Sequence, residues 1–203
     1  MLDRTKRIII GITGASGALY ALHTIKALLS NGVEVHLVIS EYGAYVLENE
    51  TDFSLKGKNV LDSFREKFGD EVSGGNIVKY SNKDLAAEIS SGSFKTDGMA
   101  IVPCSMKTLA GVAQGFAGSL IERAADVTLK EGRKLVVVPR ETPLNKIHLK
   151  NMLAVADAGA HILPAMPAFY QKPATIDDLA DFMAGRILSL FDIEAELFEP
   201  WRK

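Results

Sequence analysis

The run from Ile8 through Ile12 to Thr13, Gly14, Ala15, Ser16, Gly17 and Ala18 takes the chain from an apolar strand into a glycine-rich turn and directly on into a helical pattern. Glycines at 11, 14 and 17 remove the Cβ atoms that keep a ligand away from the backbone. The helix that follows points its unpaired N–H groups and the positive end of its dipole at the turn. This is a cradle for an anion or a phosphorylated cofactor, although the same residues also serve as a plain tight strand-to-helix turn.

Neighbouring residues narrow the guest. A phosphate-binding P-loop closes on Gly-Lys-Ser/Thr, whereas Gly17 is followed by Ala18. A short-chain dehydrogenase carries further glycines where Ala18 and Tyr20 stand, and a Tyr-x-x-x-Lys pair that Tyr20, Tyr42, Tyr45, Tyr80 and Tyr170 do not supply. The NAD fingerprint ends its second strand on an acidic residue; here Val33 to Ile39 runs into Ser40, with Glu41 one residue late. The hydroxyls of Thr13 and Ser16 suit a mononucleotide better.

Short β-branched runs alternate with longer helical patterns, the signature of a parallel, doubly wound α/β sheet. Strands are expected at Ile8 to Ile10, Val33 to Ile39, Gly98 to Val102 and Leu135 to Val138, with a strand-like Ile77-Val78. Helices are expected at Ala18 to Leu29, Gly43 to Glu48, Lys107 to Ala113, Ser119 to Leu129, Asn145 to Ala158 and Ile176 to Phe191. Length, 203 residues, fits one domain over 1–203. A formal net charge of -2 argues against nucleic acid as a partner. The lone Cys104 cannot form an internal bridge, no run approaches a membrane span, and the N-terminus lacks a signal h-region, so a soluble cytoplasmic protein is expected.

Ligands of such sheets lie beyond the carboxyl ends of the strands, which brings four loops into one reading: 11–17, 40–42, 103–108 and 139–143. Ser105 caps the next helix and can share its N–H groups with a ligand, with Thr108 one turn on; Lys107 is either a ligand contact or solvated. Pro139 and Pro143 fix the backbone around Arg140 and Glu141, which serve catalysis or pair elsewhere. Cys104 reads as a small buried hydrophobe. His23, His36, His148 and His161 lack metal-ligand spacing, so no metal is expected. On the last helix Leu179, Phe182, Met183, Ile187 and Leu190 form an apolar stripe with Arg186 in its middle, which calls for an anion, either a structural carboxylate or a ligand phosphate. Arg123, Asp126 and Lys130 share a helix face and read as a salt-paired surface.

Seven stretches, in order, resemble the flavin prenyltransferases, UbiX-type enzymes of the flavin-binding, cysteine-decarboxylase-like superfamily. They are Gly11 to Gly17, Glu50 to Leu55, Ser90 to Phe94, Pro103 to Leu109, Arg123 to Val127, Arg140 to Leu144 and Met166 to Tyr170, and the resemblance runs over nearly the whole chain; the stretch from Lys56 to Asn76 contributes nothing to it. It implies a Rossmann-like (flavodoxin-like) fold that binds FMN. It also implies transfer of a dimethylallyl group from dimethylallyl phosphate to N5 and C6 of reduced FMN, release of phosphate, and delivery of prenylated FMN to a UbiD-type decarboxylase.

By motif match, Gly14, Ala15, Ser16, Ser40, Ser105, Met106, Lys107, Thr108 and Arg140 fall on flavin-binding positions. Tyr170 and Arg186, with Lys130 and Arg140 close by, fall on positions that hold the prenyl phosphate, and Glu50 and Glu141 on acidic positions near the reacting atoms. Phosphate leaves only when its growing charge is met, and three cations and a phenol meet it without a metal; on this reading the anion facing Arg186 is the ligand's. The resemblance further implies a dodecamer with sites at subunit contacts, and docking of the C-terminal Phe198-Glu199-Pro200-Trp201 on a neighbour. A flavin-dependent decarboxylase, which needs a histidine beside the flavin, and a non-catalytic FMN carrier are the alternatives.

Overall fold

The computed structural model describes residues 5–55 and 59–198. Six parallel strands, β1 (Arg7–Ile12), β2 (Glu34–Ile39), β3 (Asn76–Ser81), β4 (Gly98–Cys104), β5 (Lys134–Pro139) and β6 (His161–Ile162), form one sheet in the order β3-β2-β1-β4-β5-β6. The helices are α1 (Ala18–Ser30), α2 (Glu41–Glu50), α3 (Val60–Phe68), α4 (Met106–Ala113), α5 (Leu120–Lys130), α6 (Lys146–Asp157) and α7 (Ile176–Leu190).

Side-chain alternation along β1 explains the layers. Ile8, Ile10 and Ile12 face a core shared with α1, α2, α3 and α7, while Ile9 faces a second core shared with α4, α5 and α6. Both faces are covered, so the central strands are apolar throughout. The strand order reverses between β1 and β4, and the crevice at their carboxyl ends is where a doubly wound sheet places its ligand.

That crevice is held shut at its floor by one side chain. The Thr13 hydroxyl donates to the Pro103 carbonyl at 2.8 Å and accepts from the Ser105 N–H at 2.7 Å, while the Thr13 N–H reaches the same Pro103 carbonyl at 3.2 Å. Thr13 is almost completely buried. Its hydroxyl is therefore committed to joining the loops after β1 and β4, and of the two hydroxyls expected to greet a ligand only that of Ser16 lies on an exposed residue.

The strands expected from the β-branched runs are all present, with β3 extending well beyond Ile77-Val78. The sequence pattern missed α3 and the two-residue β6. It also centred the buried face of α7 too close to Arg186: Phe182, Met183 and Ile187 are buried as expected, but the face extends away from Arg186 through Ala180, Ala184, Gly185 and Leu188. Leu179 and Leu190 are only half-buried at its margin, and Arg186 is exposed. Arg186 therefore needs no buried counter-ion.

Thr13→Val keeps the shape but leaves the Ser105 N–H without its acceptor. The expected loss is about 1–3 kcal/mol of stability, the cost of an unsatisfied buried polar group, with Thr13→Ser retaining most of it. Urea denaturation of the three proteins checks this; a Val variant as stable as the parent would show that the clasp contributes nothing.

Candidate functional site

A cleft of about 510 Å³ opens at the carboxyl edge of the sheet, lined by Gly14, Ser40, Glu41, Tyr42, Asn82, Lys83, Ser105, Lys107, Thr108, Ser119 and Ile121. Its size lies in the range of small-ligand sites, roughly 300–1,000 Å³. Five positions expected to bind flavin, Gly14, Ser40, Ser105, Lys107 and Thr108, are brought together here. Ala15 and Met106 flank it: Ala15 is buried, and Met106 packs on the core around α5.

Several of the liners are fixed by local structure. Ser40 caps α2, accepting from the Gly43 N–H at 3.0 Å, and its own N–H donates to the Ile12 carbonyl at 2.9 Å. Ser105 caps α4, accepting from the Thr108 N–H at 3.4 Å and donating to the Thr108 hydroxyl at 3.2 Å. Asn82 caps the start of α5: its carbonyl accepts from the Leu120 N–H at 2.9 Å and its side-chain oxygen from the Ile121 N–H at 3.1 Å. The N-termini of α4 and α5, together with Lys83 and Lys107, give the cleft the polarity that attracts an anion. Gly14 is obligatory, because a Cβ there would lie 2.5 Å from the Cβ of Tyr42. Tyr42 belongs to one of the four loops expected here and Ser119 to a helix start expected from the sequence, whereas Asn82 and Lys83 lie in neither. The loop after β3 was not grouped with the other four because only two of its strand's residues looked strand-like.

The other side of the glycine turn gathers Ser16, Glu50 and Arg140. The Glu50 carboxylate accepts from the Gly17 N–H at 2.8 Å and the Ala18 N–H at 3.0 Å, and the Arg140 Nε donates to the Ser16 carbonyl at 3.0 Å. The first N–H groups of α1, expected to face a ligand, are thus held by a carboxylate of the same chain. Gly17, at φ +109°, makes this turn possible. Partial burial pushes the Glu50 pKa up, but the Ser16 side chain, the Gly17 and Ala18 N–H groups and the Arg140 charge outweigh it and hold the carboxyl below its usual value. Glu141 is exposed and accepts from the Thr142 N–H at 3.0 Å.

The remaining expected residues lie elsewhere in the chain. Lys130 ends α5, just before β5 begins, so it stands at the amino edge of the sheet, paired with Glu131. The carboxyl-edge cleft is a full strand away, on the order of 17 Å. Tyr170 packs edge-on against Phe182 of α7, with ring centroids 6.0 Å apart, and Arg186 follows Phe182 by one turn on the exposed side. One chain therefore does not assemble Lys130, Arg140, Tyr170 and Arg186 into a single clamp. Phe198 packs on its own chain, 5.0 Å from the Phe182 ring, rather than standing free for a neighbour; Glu199, Pro200 and Trp201 lie outside the described residues. Arg123 pairs with Asp126 at 2.6 Å and donates to the Ser90 carbonyl, as a surface pair would.

Other chemistry-bearing side chains serve the scaffold. Cys104 is buried, which pushes its thiol pKa far up, so it is an inert hydrophobe. His23 bridges α1 to Asp181 of α7, and His36 lies in β2 between Glu34 and the Tyr80 hydroxyl. None of the four histidines lines the cleft. Among the described residues no group of three or more His, Cys, Asp or Glu could hold a metal ion, and no helix is long and apolar enough to cross a membrane.

Comparison with known proteins gives this arrangement its context. The family model described as Flavoprotein matches residues 2–188. A flavin prenyltransferase UbiX from Halalkalibacterium halodurans is 48% identical over 192 residues, 95% of this chain and 91% of the relative. This chain belongs to the UbiX flavin prenyltransferase family. The crystal structure of AnUbiX (PadA1) in complex with FMN and dimethylallyl pyrophosphate superposes with a TM-score of 0.88 at 45% identity, covering 98% of this chain and 99% of the other. A dodecameric FMN-dependent UbiX-like decarboxylase from Escherichia coli O157:H7 superposes with a TM-score of 0.85 at 44% identity, covering 97% of this chain and all of the other.

A carboxylate whose pKa is lower in the folded state binds fewer protons there. Its contribution to stability is complete above its unfolded value near 4.5 and drains away as pH falls through the lower folded value. The gap in Tm between the parent and Glu50→Gln should therefore be steady from neutral pH down to about 5 and close below pH 4.5. Thermal melts across that range check it, and a gap independent of pH would show that the charge of Glu50 is not what holds the start of α1.

Proposed function

We propose that this chain transfers a dimethylallyl group from dimethylallyl phosphate to N5 and C6 of reduced FMN, building a fourth ring on the flavin and releasing phosphate. The observation that carries this reading is the anion-attracting cleft at the switch point, backed on the far side of the same turn by Ser16, Glu50 and Arg140. The cleft residues fit a flavin mononucleotide. Gly14 leaves space for a close ligand, while the Ser40, Ser105 and Thr108 hydroxyls and Lys107 offer partners to its polar groups and phosphate.

Reduced FMN supplies the two nucleophilic positions. The protein supplies what the leaving phosphate needs, a set of charges placed in advance where negative charge grows. Arg140 stands beside the Ser16–Glu50 pair in the same chain. We assign Tyr170, Arg186 and Lys130 to the same phosphate, and because Arg186 lies on the exposed side of α7, Tyr170 packs beside that helix and Lys130 stands at the amino edge of the sheet, the clamp is proposed to be completed by neighbouring copies. The E. coli relative's dodecamer supports such an assembly. So do the exposed Ile147, Leu153, Met166, Phe169 and Ile176, apolar side chains that an interface would cover. Removal of the C6 proton falls to Glu141 or to the departing phosphate. The product then goes to a UbiD-type decarboxylase, and the whole chain works as one flavin-binding unit in the cytoplasm, a reducing setting that its lone buried thiol suits.

Incubation with reduced FMN and dimethylallyl phosphate, and separately with the pyrophosphate bound by AnUbiX, should add one prenyl unit to the flavin, read by mass spectrometry. Unchanged flavin with both donors would overturn the reading, and release of CO2 from a cysteine-derived acid would put a decarboxylase in its place.

Arg186 is exposed, so Arg186→Met should fold with an unaltered Tm and bind FMN as the parent does, while product formation collapses. Arg186→Lys should fall between the two, since it keeps the charge but loses the two-point grip on phosphate. Loss of FMN affinity at unchanged donor affinity would assign Arg186 to the flavin instead. Mixing inactive Lys130→Met and Arg140→Met proteins under conditions that exchange subunits should restore a measurable fraction of activity, and failure of exchanged mixtures to do so would place both residues in one chain's site.

A further inference from the structure

We propose that Glu122 is a positioning residue that fixes the Lys107 ammonium over the cleft, and so sets FMN affinity without touching the ligand. The Lys107 side chain is 86% exposed and lines the cleft; that of Glu122 is 3% exposed, in the first turn of α5. The Lys107 Nζ lies 3.8 Å from the Glu122 Oε1. A lysine stem with almost no packing has its full rotamer freedom unless its charged end is tied. Glu122 is a suitable anchor because it is buried: its own N–H donates to the Ser119 hydroxyl, the cap of α5, at 3.4 Å, and its carboxylate lies in a space kept clear by two glycines. A Cβ at Gly111 would come within 2.8 Å of the Glu122 Oε1, and one at Gly118 within 3.4 Å of the Oε2. The start of α5 supplies favourable dipole charge for the carboxylate.

This inference rests on the reading of the cleft as the mononucleotide site, and the sign of one measurement separates it from a simpler account. Direct electrostatics says that deleting a carboxylate near an anion site tightens binding of the anion. Positioning says the opposite. FMN titration by fluorescence quenching is expected to show Glu122→Gln binding more weakly, roughly tenfold. The same substitution in a Lys107→Met background should change nothing further, because its effect runs through Lys107. Gly111→Ala displaces the carboxylate without altering charge and favours α4 as a helix, so it should weaken FMN binding in parallel, whether or not Glu122→Gln folds. Tighter or equal binding by Glu122→Gln and Gly111→Ala, beside a Lys107→Met that weakens it, overturns the positioning role and leaves the cleft reading intact. An effect of Glu122→Gln that persists undiminished in the Lys107→Met background also overturns it. A Lys107→Met protein that binds FMN like the parent overturns the cleft reading together with this one.

Discussion

One buried hydroxyl determines where this fold can hold a ligand. At the point where the sheet reverses direction, two loops that belong to separate halves of the chain must lie side by side, and Thr13 joins them through Pro103 and Ser105. The caps and cradles above depend on that contact. Ser105 starts α4 only because its own N–H is satisfied from below, which leaves its hydroxyl for Thr108 and for whatever enters the cleft. Arg140, in the next loop along the sheet, is seated on the same platform through its N–H to the Cys104 carbonyl at 3.2 Å.

The glycine turn above the clasp works on two sides. Gly14 faces the cleft, where Tyr42 leaves no space for a side chain, while Ser16 and Gly17 face Glu50 and Arg140. A helix start normally offers its free N–H groups to a ligand phosphate. Here Glu50 occupies those of α1, so the anion-attracting role passes to α4 and α5, whose starts line the cleft. On the proposed reading this separates two negative charges, with the flavin phosphate drawn to one side of the turn and the Glu50 carboxylate held on the other.

Strands were legible in the sequence because β-branched runs buried on both faces have few alternative structures, and the loops at their carboxyl ends followed from topology. The elements that escaped carry weak signals. β6 has two residues, and α3 packs through Phe64 and Phe68 within a largely charged segment. Arg186 shows a different failure. Leu179 and Leu190 draw the apolar stripe around Arg186, whereas the buried face continues from Phe182, Met183 and Ile187 round the other side of the helix, through the small Ala180, Ala184 and Gly185, which outline it weakly. Gly14 lies in the glycine turn, Ser40 and Ser105 are helix caps, and Lys107 and Thr108 stand in the first turn of α4, all positions with a local sequence signature. Asn82 and Lys83 have none; they line the cleft only because β3 lies beside β2.

The placement of Lys130 at the opposite edge of the sheet follows from the same topology, since a crossover helix that begins at the carboxyl edge must end at the amino edge. No rearrangement within one chain brings it to Arg140 without breaking the β4–α5–β5 unit. On the proposed assignment, two of the three cations are kept in check locally until copies meet, Lys130 by Glu131 and Arg140 by the Ser16 carbonyl and the nearby Glu50. Like charges gathered in one chain would repel and weaken the fold. Dividing them among subunits, as proposed, would let the apolar contacts of assembly, rather than the stability of a single chain, offset that repulsion, and a site able to stabilise a leaving phosphate would then exist only in the oligomer.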